Sequence, residues 1–478
     1  MSLAVRHPST VLGAALLAAV LAIPAGAQRT AARPDAVRRP SAAQVARIVD
    51  SAAAAYLAAN HVPSISIAVV RGRDTLVKKA YGLAELENEV AATPQHVYRI
   101  GSITKQFTAA GVMRLVEQGK VALDDDFTKY VRFDTRGRTV TVRQLLNHTS
   151  GIRSYTSVGP RWARRWREDM APDTILALVA NDSLDFEPGA SWSYNNTGYV
   201  LLGMLIEKVT GKTYPAFVEA EFFRPLGLTS TSYCETAPVI RRRVHGYGRE
   251  NGAWMNAPYL SMSQPYAAGS LCSTTGDLVK WNDALVNGRV VSPASYALMA
   301  GPSTQKSGAP IANGYGFGLG MGRFGERRAV SHSGGIHGFS ADMAWLPDDS
   351  VLVVALTNAG SPAAGRMIRL AAAAALGDPL PGAARVTLTD AERARYAGNY
   401  RLGVGETRTL DIRIANEGGR LVAYPAGQTP KPLVPMGDHA FTDSTDPNIS
   451  MRFTMSGDRA TGFAFTQGGR TVQATRVE

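Results

Sequence analysis

The sequence predicts a mixed α/β (α+β) chain: an antiparallel sheet flanked by helices, an all-helical subdomain beside it, and a small all-β domain at the end. Three observations carry this. Strand-like runs lie at both ends of the segment 41–377, around a middle of helical periodicity. After a linker-like stretch at 378–390 the texture changes to short alternating strands. The composition, 45% hydrophobic and 19% charged over 478 residues, is that of globular domains and supplies chain for two or three of them.

In chain order, the N-terminus stands apart. Arg6 precedes an apolar run from Val11 to Ile23, then Pro24 and Ala25-Gly26-Ala27. A charged start, an apolar stretch too short to span a bilayer comfortably and a small-x-small site read as a secretory signal over 1–27. The expected location is therefore periplasmic or secreted. No other long charge-free apolar run follows, so no stable membrane span is expected after cleavage. Residues 28–40 form a polar, Pro-bearing linker, and the Ala-rich stretch 41–60 a helix.

"PSISIAVVRGRDTLVKKAYGLA" reads as two strands around a turn at Gly72-Arg73-Asp74. Helical patterns dominate from Ile103 to Lys208, with stops at Gly119 and Gly211. "STTGDLVKWNDALVNG" is a capped helix: Ser273 or Thr274 opens it, Asp277 lies in its first turn and Gly288 closes it. Strands return at "RAVSHSGG", "SADMAWLP" and "VLVVALTN", with a turn at Asp348-Asp349, and "MIRLAAAAALG" adds a helix. The simplest assembly puts the early hairpin and the late strands in one antiparallel sheet. The first and last helices cover it, and the site lies between sheet and helical middle. Five alternating runs after 391 make the tail, 391–478, a barrel or sandwich.

Several function classes are excluded. The basic clusters "RWARRWRE" and "RRRVHGYGR" accompany no nucleic-acid module, so they read as a solvated face and no nucleic-acid partner is expected. The eight histidines lack ligand spacing, so no metal is expected, and no cofactor is needed. No Gly-x-Ser-x-Gly elbow occurs. Cys234 and Cys272 are the only cysteines. In an exported chain they permit one disulfide, the expectation here; the alternative is two buried thiols acting as small hydrophobes.

The chemistry gathers in three stretches. In "YRIGSITKQFTAAG", Ser102 opens a helix and Lys105 stands on the same face three residues on. A buried Lys105 can take the proton of Ser102, and the helix N-terminus suits an oxyanion. A second Ser-x-x-Lys, Ser303 to Lys306, lies in a Gly- and Pro-rich loop and lacks a helix. In "SWSYNNTGYVLLG", Tyr194 can act as acid or base, in phenolate form if an ammonium is near, and Asn196 can bond Lys105 and a substrate carbonyl. Ser193-Tyr194-Asn195 is a competing Ser-x-Asn register. In "VSHSGGIHGF", His332-Ser333-Gly334 ends a strand. The N–H of Gly335 would complete an oxyanion hole with that of Ser102. His337 reads as a loop residue.

Together with "VRQLLNHTSGI", "AAGSLCSTTGDLVKW" and the order of the three stretches, the segment from Ser41 to Gly377 resembles the serine β-lactamase-like superfamily. That group holds class C β-lactamases, D-alanyl-D-alanine carboxypeptidases, D-aminopeptidases and related esterases. The resemblance implies a β-lactamase/transpeptidase-like fold with Ser102 as acylated nucleophile and Lys105 as its partner. It makes Tyr194 the proton shuttle and Asn196 a positioning amide. It sets His332-Ser333-Gly334 where the family carries Lys-Thr-Gly, a departure that favours peptidase or esterase over lactamase. The tail looks like the β-barrel appendage of some non-lactamase members. The implied activity is acyl-enzyme hydrolysis of amide or ester bonds, in a D-amino-acid peptide or small ester. A class C-like lactamase and a penicillin-binding sensor or non-catalytic module are the alternatives. The implied partner is a small-molecule or peptide substrate, with cell-wall peptide as one candidate.

Overall fold

The computed structural model describes residues 39–477 apart from 60, 312–313, 325–326, 379, 381–385, 405–407, 444–448 and 468–469. The expected signal, nearly all of the first linker and half of the second lie outside the described residues.

A seven-stranded antiparallel sheet organises the hydrolase-like part. Its order is Val90–Ala91, Asp74–Glu85, Ser64–Arg71, Val351–Thr357, Phe339–Leu346, Arg327–Ile336 and Gly320–Phe324. The early hairpin and the late strands thus share one sheet, as expected. Val351–Thr357 reads VLVVALT and is buried throughout, which suits a central strand covered on both faces. Its neighbour Phe339–Leu346 shows the period of two. Phe339, Ala341 and Met343 enter one core, while Ala344 and Leu346 enter the other.

The second core is closed by helices Ala42–Ala58 and Ala363–Leu376. Val45, Val49 and Ala53 recur every four residues on one, and Met367, Ala371 and Ala375 on the other. The alanines let the two helices approach closely over the sheet. Ser41 starts the first helix with a capping box shared with Gln44.

The first core surrounds helices Thr104–Glu117 and Asn196–Thr210. Thr104–Glu117 has eleven buried positions among its fourteen residues, Lys105 included. It is a central helix rather than an amphipathic surface one. Phe107 stacks on Trp281 of helix Thr275–Val286, with ring centroids 3.8 Å apart. That helix is capped by Thr274, whose hydroxyl accepts from Asp277 N–H, which settles the choice between Ser273 and Thr274.

The expected all-helical middle is less regular than its pattern. Between the two central helices, only Val142–Leu146, Pro160–Ala163 and Pro172–Ala177 are α-helical, each of six residues or fewer. Gly151, Gly159 and Gly189 adopt positive φ there and break the run into turns.

The tail is a closed eight-stranded barrel from Gly398–Val404 to Arg470–Val477, its ends joined by pairs such as Leu402↔Ala474. Tyr400, Phe441, Phe453 and Phe463 fill it. Closure removes the sheet edges. Three of its strands escaped the sequence reading, among them Lys431–Gly437 (KPLVPMG), whose two prolines argue against a strand.

The expected disulfide is not formed. Cys234 and Cys272 are free, buried thiols. Cys272 lies opposite Ser232 in the register, and Cys234 N donates to Ser270 O at 2.7 Å. The two side chains are diagonal neighbours, and their thiols interact directly, which lowers the pKa of Cys234 and raises that of Cys272. They pack as small hydrophobes with Val97 and Met262.

Candidate active site

Ser102 stands in a single 3₁₀ turn, Gly101–Ile103, that leads directly into helix Thr104–Glu117. The turn runs straight into the helix, so Lys105, three residues on, stands on the same face as Ser102. Gly101 has φ +50 and opens the turn. Its Cα faces the backbone of the strand Arg327–Ile336, and a Cβ there would lie 3.0 Å from Gly335 N. A Cβ on Gly334 would lie 1.9 Å from Ile100 O and 3.1 Å from Ser102 N. Gly334 is thus required by the close approach of turn and strand. Gly335 has nothing within 4 Å of its missing Cβ. The turn leaves the Ser102 N–H without an intrahelical partner, beside the Gly335 backbone.

The surroundings of Lys105 decide what it can do. Its Nζ lies 2.8 Å from Asn196 Oδ1, 2.9 Å from Ala268 O and 3.2 Å from Ser102 Oγ. Burial pushes its pKa well below 10.5. In its neutral form Lys105 has two N–H bonds and one lone pair. Asn196 Oδ1 and Ala268 O can only accept, so they take both N–H bonds and leave the lone pair for the Ser102 hydroxyl. Asn196 is held in turn. Its Nδ2 donates to Thr156 Oγ1 at 3.0 Å and its backbone N–H to Ser154 Oγ at 3.1 Å. The competing register is resolved as well. Asn195 caps the helix through Gly198 N–H, and Ser193 is exposed.

Tyr194 lies under Lys105, with Nζ 4.7 Å from its ring centroid. Its buried hydroxyl lies toward Ser102, close enough for that side chain to lower its pKa but outside full hydrogen-bond geometry with any described residue. Burial raises its pKa above the ordinary phenol value. With its pKa raised in this way, Tyr194 is a phenol near neutral pH. His148 of "NHTSGI" packs against it, centroids 4.5 Å apart, and accepts from Asn195 N–H.

His332 is buried on the same side. Its Nδ1–H donates to Ser333 O at 2.6 Å, and Nε2 accepts from Tyr315 at 2.8 Å. Burial foremost, then the nearness of Lys105, lowers its pKa to about 3. It is a neutral ring, not a cation. The strand's outer neighbour, Gly320–Phe324, pairs only as far as Ser331, so the edge from His332 to Ile336 is open beside Ser102. Ser333 and Gly335 are exposed along it. A pocket of about 130 Å³ opens at Ser102, between Asn196, Ala268 and Gly335 on one side and Tyr155, Trp162 and Leu260 on the other.

The structure thus brings Ser102, Lys105, Tyr194, Asn196, His332 and Gly335 together and leaves Ser303 and Lys306 in a loop apart. Sequence reasoning missed Thr156, Ser154, Tyr315 and the carbonyl of Ala268. Ala268 does lie in the quoted "AAGSLCSTTG", but a carbonyl's role leaves no side-chain signature. Among the described residues, one group, Glu85, Glu87 and His245, brings three ligand atoms within 4.8 Å. Glu87 already accepts from Tyr247, and none of the three lines the pocket.

Known proteins similar to this chain share its fold. A family model described as Beta-lactamase matches residues 49–377. Penicillin-binding protein 4* of Bacillus subtilis (strain 168) is 28% identical over 445 residues, 86% of this chain and 95% of that protein. The D-stereospecific amidohydrolase from Streptomyces sp. has a similar structure: TM-score 0.59, 31% identity, covering 71% of this chain and 100% of that one. A D-amino acid amidase from Ochrobactrum anthropi SV3, complexed with L-phenylalanine amide, gives TM-score 0.61 at 27% identity, over 69% of this chain and 98% of its own.

Proposed function

The chain belongs to the Beta-lactamase family, and from that premise we propose that it is an exported serine hydrolase that cleaves amide or ester bonds of D-amino-acid peptides or small esters through an acyl-enzyme on Ser102. The observation that carries this reading is Lys105 Nζ, 3.2 Å from Ser102 Oγ, buried so that its pKa is lowered and held by two further acceptors. Export rests on the N-terminal sequence alone.

In the proposed reaction Ser102 Oγ attacks the carbonyl carbon while Lys105 takes its proton. The oxyanion that forms is held by the N–H groups of Ser102 and Gly335. The tetrahedral carbon then expels the amine or alcohol, which receives a proton through Lys105 and the Tyr194 hydroxyl. Water attacks the ester on Ser102, with the same pair taking its proton, and Ser102 is released. Asn196 keeps Lys105 aimed throughout. An extended substrate can lie along the open edge from His332 to Ile336 as an added strand.

The likeness to the amidohydrolase and the amidase supports D-amino-acid amides as the first substrates to try. The neutral His332 weighs against a lactamase, because it offers no fixed positive charge to a substrate carboxylate. Steady turnover of a p-nitrophenyl ester and of D-phenylalanine amide is expected. A burst of one equivalent with no further release would instead support a sensor.

A further inference from the structure

The pocket beside Ser102 has a definite chemical character, and the following reading of it rests on the acyl-enzyme proposal. Its wall is aromatic. Trp162 meets Tyr155 edge-on at 5.5 Å and Trp166 at 5.7 Å, and Trp166 meets His337 edge-on at 4.3 Å. The indole of Trp162 is fixed by its bond to Gln264 Oε1 at 2.8 Å. Gln264 in turn donates to the carbonyls of Arg165 and Glu168. Leu260, Pro265 and Ile336 complete the apolar lining. The volume, about 130 Å³, is close to the roughly 150 Å³ cavity that accepts a benzene ring.

The basic stretch "RWARRWRE" accounts for this wall. Trp162 lines the pocket, and Trp166, four residues on, packs behind it and against His337. Of the four arginines in the stretch, Arg161 meets Asp182 at 2.7 Å and Arg165 meets Glu168 at 2.7 Å, while Arg164 and Arg167 are exposed. Among the described residues lining the pocket, none is Lys or Arg. The two histidines add no charge. His332 is satisfied by Tyr315 and Ser333 O. His337 donates from Nδ1 to Pro258 O at 3.1 Å, which leaves its Nε2 as an acceptor. A carboxylate held here would give up water and find ring and carbonyl acceptors in exchange, which is unfavourable.

We infer that this site takes uncharged esters or amides bearing one compact aromatic or apolar group, and discriminates against substrates with a carboxylate beside the bond that is cut.

Two thioesters of one N-benzoylglycyl acyl group test it, one leaving as mercaptoacetate and the other as its methyl ester. After division by their uncatalysed hydrolysis rates, kcat/KM should be about tenfold or more higher for the methyl ester. Replacing benzoyl by acetyl should raise KM, and Trp162→Ala should erase that difference. Gly320 pairs with Ser331, so its side faces the same way as Ser333 and Gly335, and a Cβ there meets nothing closer than 3.5 Å. Gly320→Arg should therefore supply a cation and narrow the charge preference without loss on the neutral thioester. Equal or faster cleavage of the carboxylate form by the unaltered enzyme overturns the inference. A fluorophosphonate that fails to label Ser102 in the same preparation overturns the acyl-enzyme reading itself, and the inference with it.

Discussion

At the scale of single residues, burial and hydrogen bonding act on Lys105 in the same direction. Desolvation weakens its hold on a proton, and two acceptors orient the amine. An unperturbed lysine would reach full basicity only above pH 10.5. Acid protonates Lys105, so kcat/KM should fall along a limb governed by its lowered pKa and stand level on the alkaline side well before 10.5. His332, at about 3, should contribute no inflection near neutrality. A profile still climbing to pH 10 would contradict a neutral Lys105. The identity of these residues was legible in the sequence because Ser102 and Lys105 lie one turn apart. Their protonation was not, since burial comes from distant segments: Ala268 and Asn196 reach Lys105 from 163 and 91 residues away. The state of Cys234 and Cys272, free thiols here, was hidden for the same reason.

At the scale of elements, the site depends on how closely the turn Gly101–Ile103 approaches the strand Arg327–Ile336. Two adjacent glycines separate packing from substrate access. Gly334→Ala must push against Ile100 O at 1.9 Å, so it should lower thermal stability and acylation together. Gly335→Ala meets open space, so the melting temperature should hold while KM rises. Equal stability losses in both would refute the close approach. The neighbouring strand carries a pH-sensitive group. Asp342 is packed densely enough that desolvation lifts its carboxyl to about 7, against the pull of Arg369. The unfolded carboxyl ionises near 3.8. Between those values the unfolded chain has released a proton that the folded chain still holds, so stability declines as pH rises through the window. Asp342→Asn should gain in melting temperature over the parent at about pH 8 and show little difference at about pH 4. Parallel curves would contradict this. The long, regular elements were readable from apolar period and caps. The strand Gly320–Phe324 and the proline-bearing barrel strand were not, because tertiary pairing there overrides weak local preference.

At the scale of the molecule, the barrel has its own core and closed hydrogen bonding, and no barrel residue lines the described pocket. A chain ended before Asp390 should fold and keep its activity on small esters within a few-fold. Loss of folding would show that the barrel supports the hydrolase part. The order of strands around a helical middle, and the change of texture at 378–390, made the architecture legible. The count of barrel strands and the looped middle emerged only from the structure. The central claim is that Ser102 is the acylated residue. Peptide mass spectrometry after fluorophosphonate treatment tests it most directly. The account predicts one adduct, on the peptide containing Ser102, absent from Ser102→Ala. An adduct on Ser303, or one that survives Ser102→Ala, would contradict it.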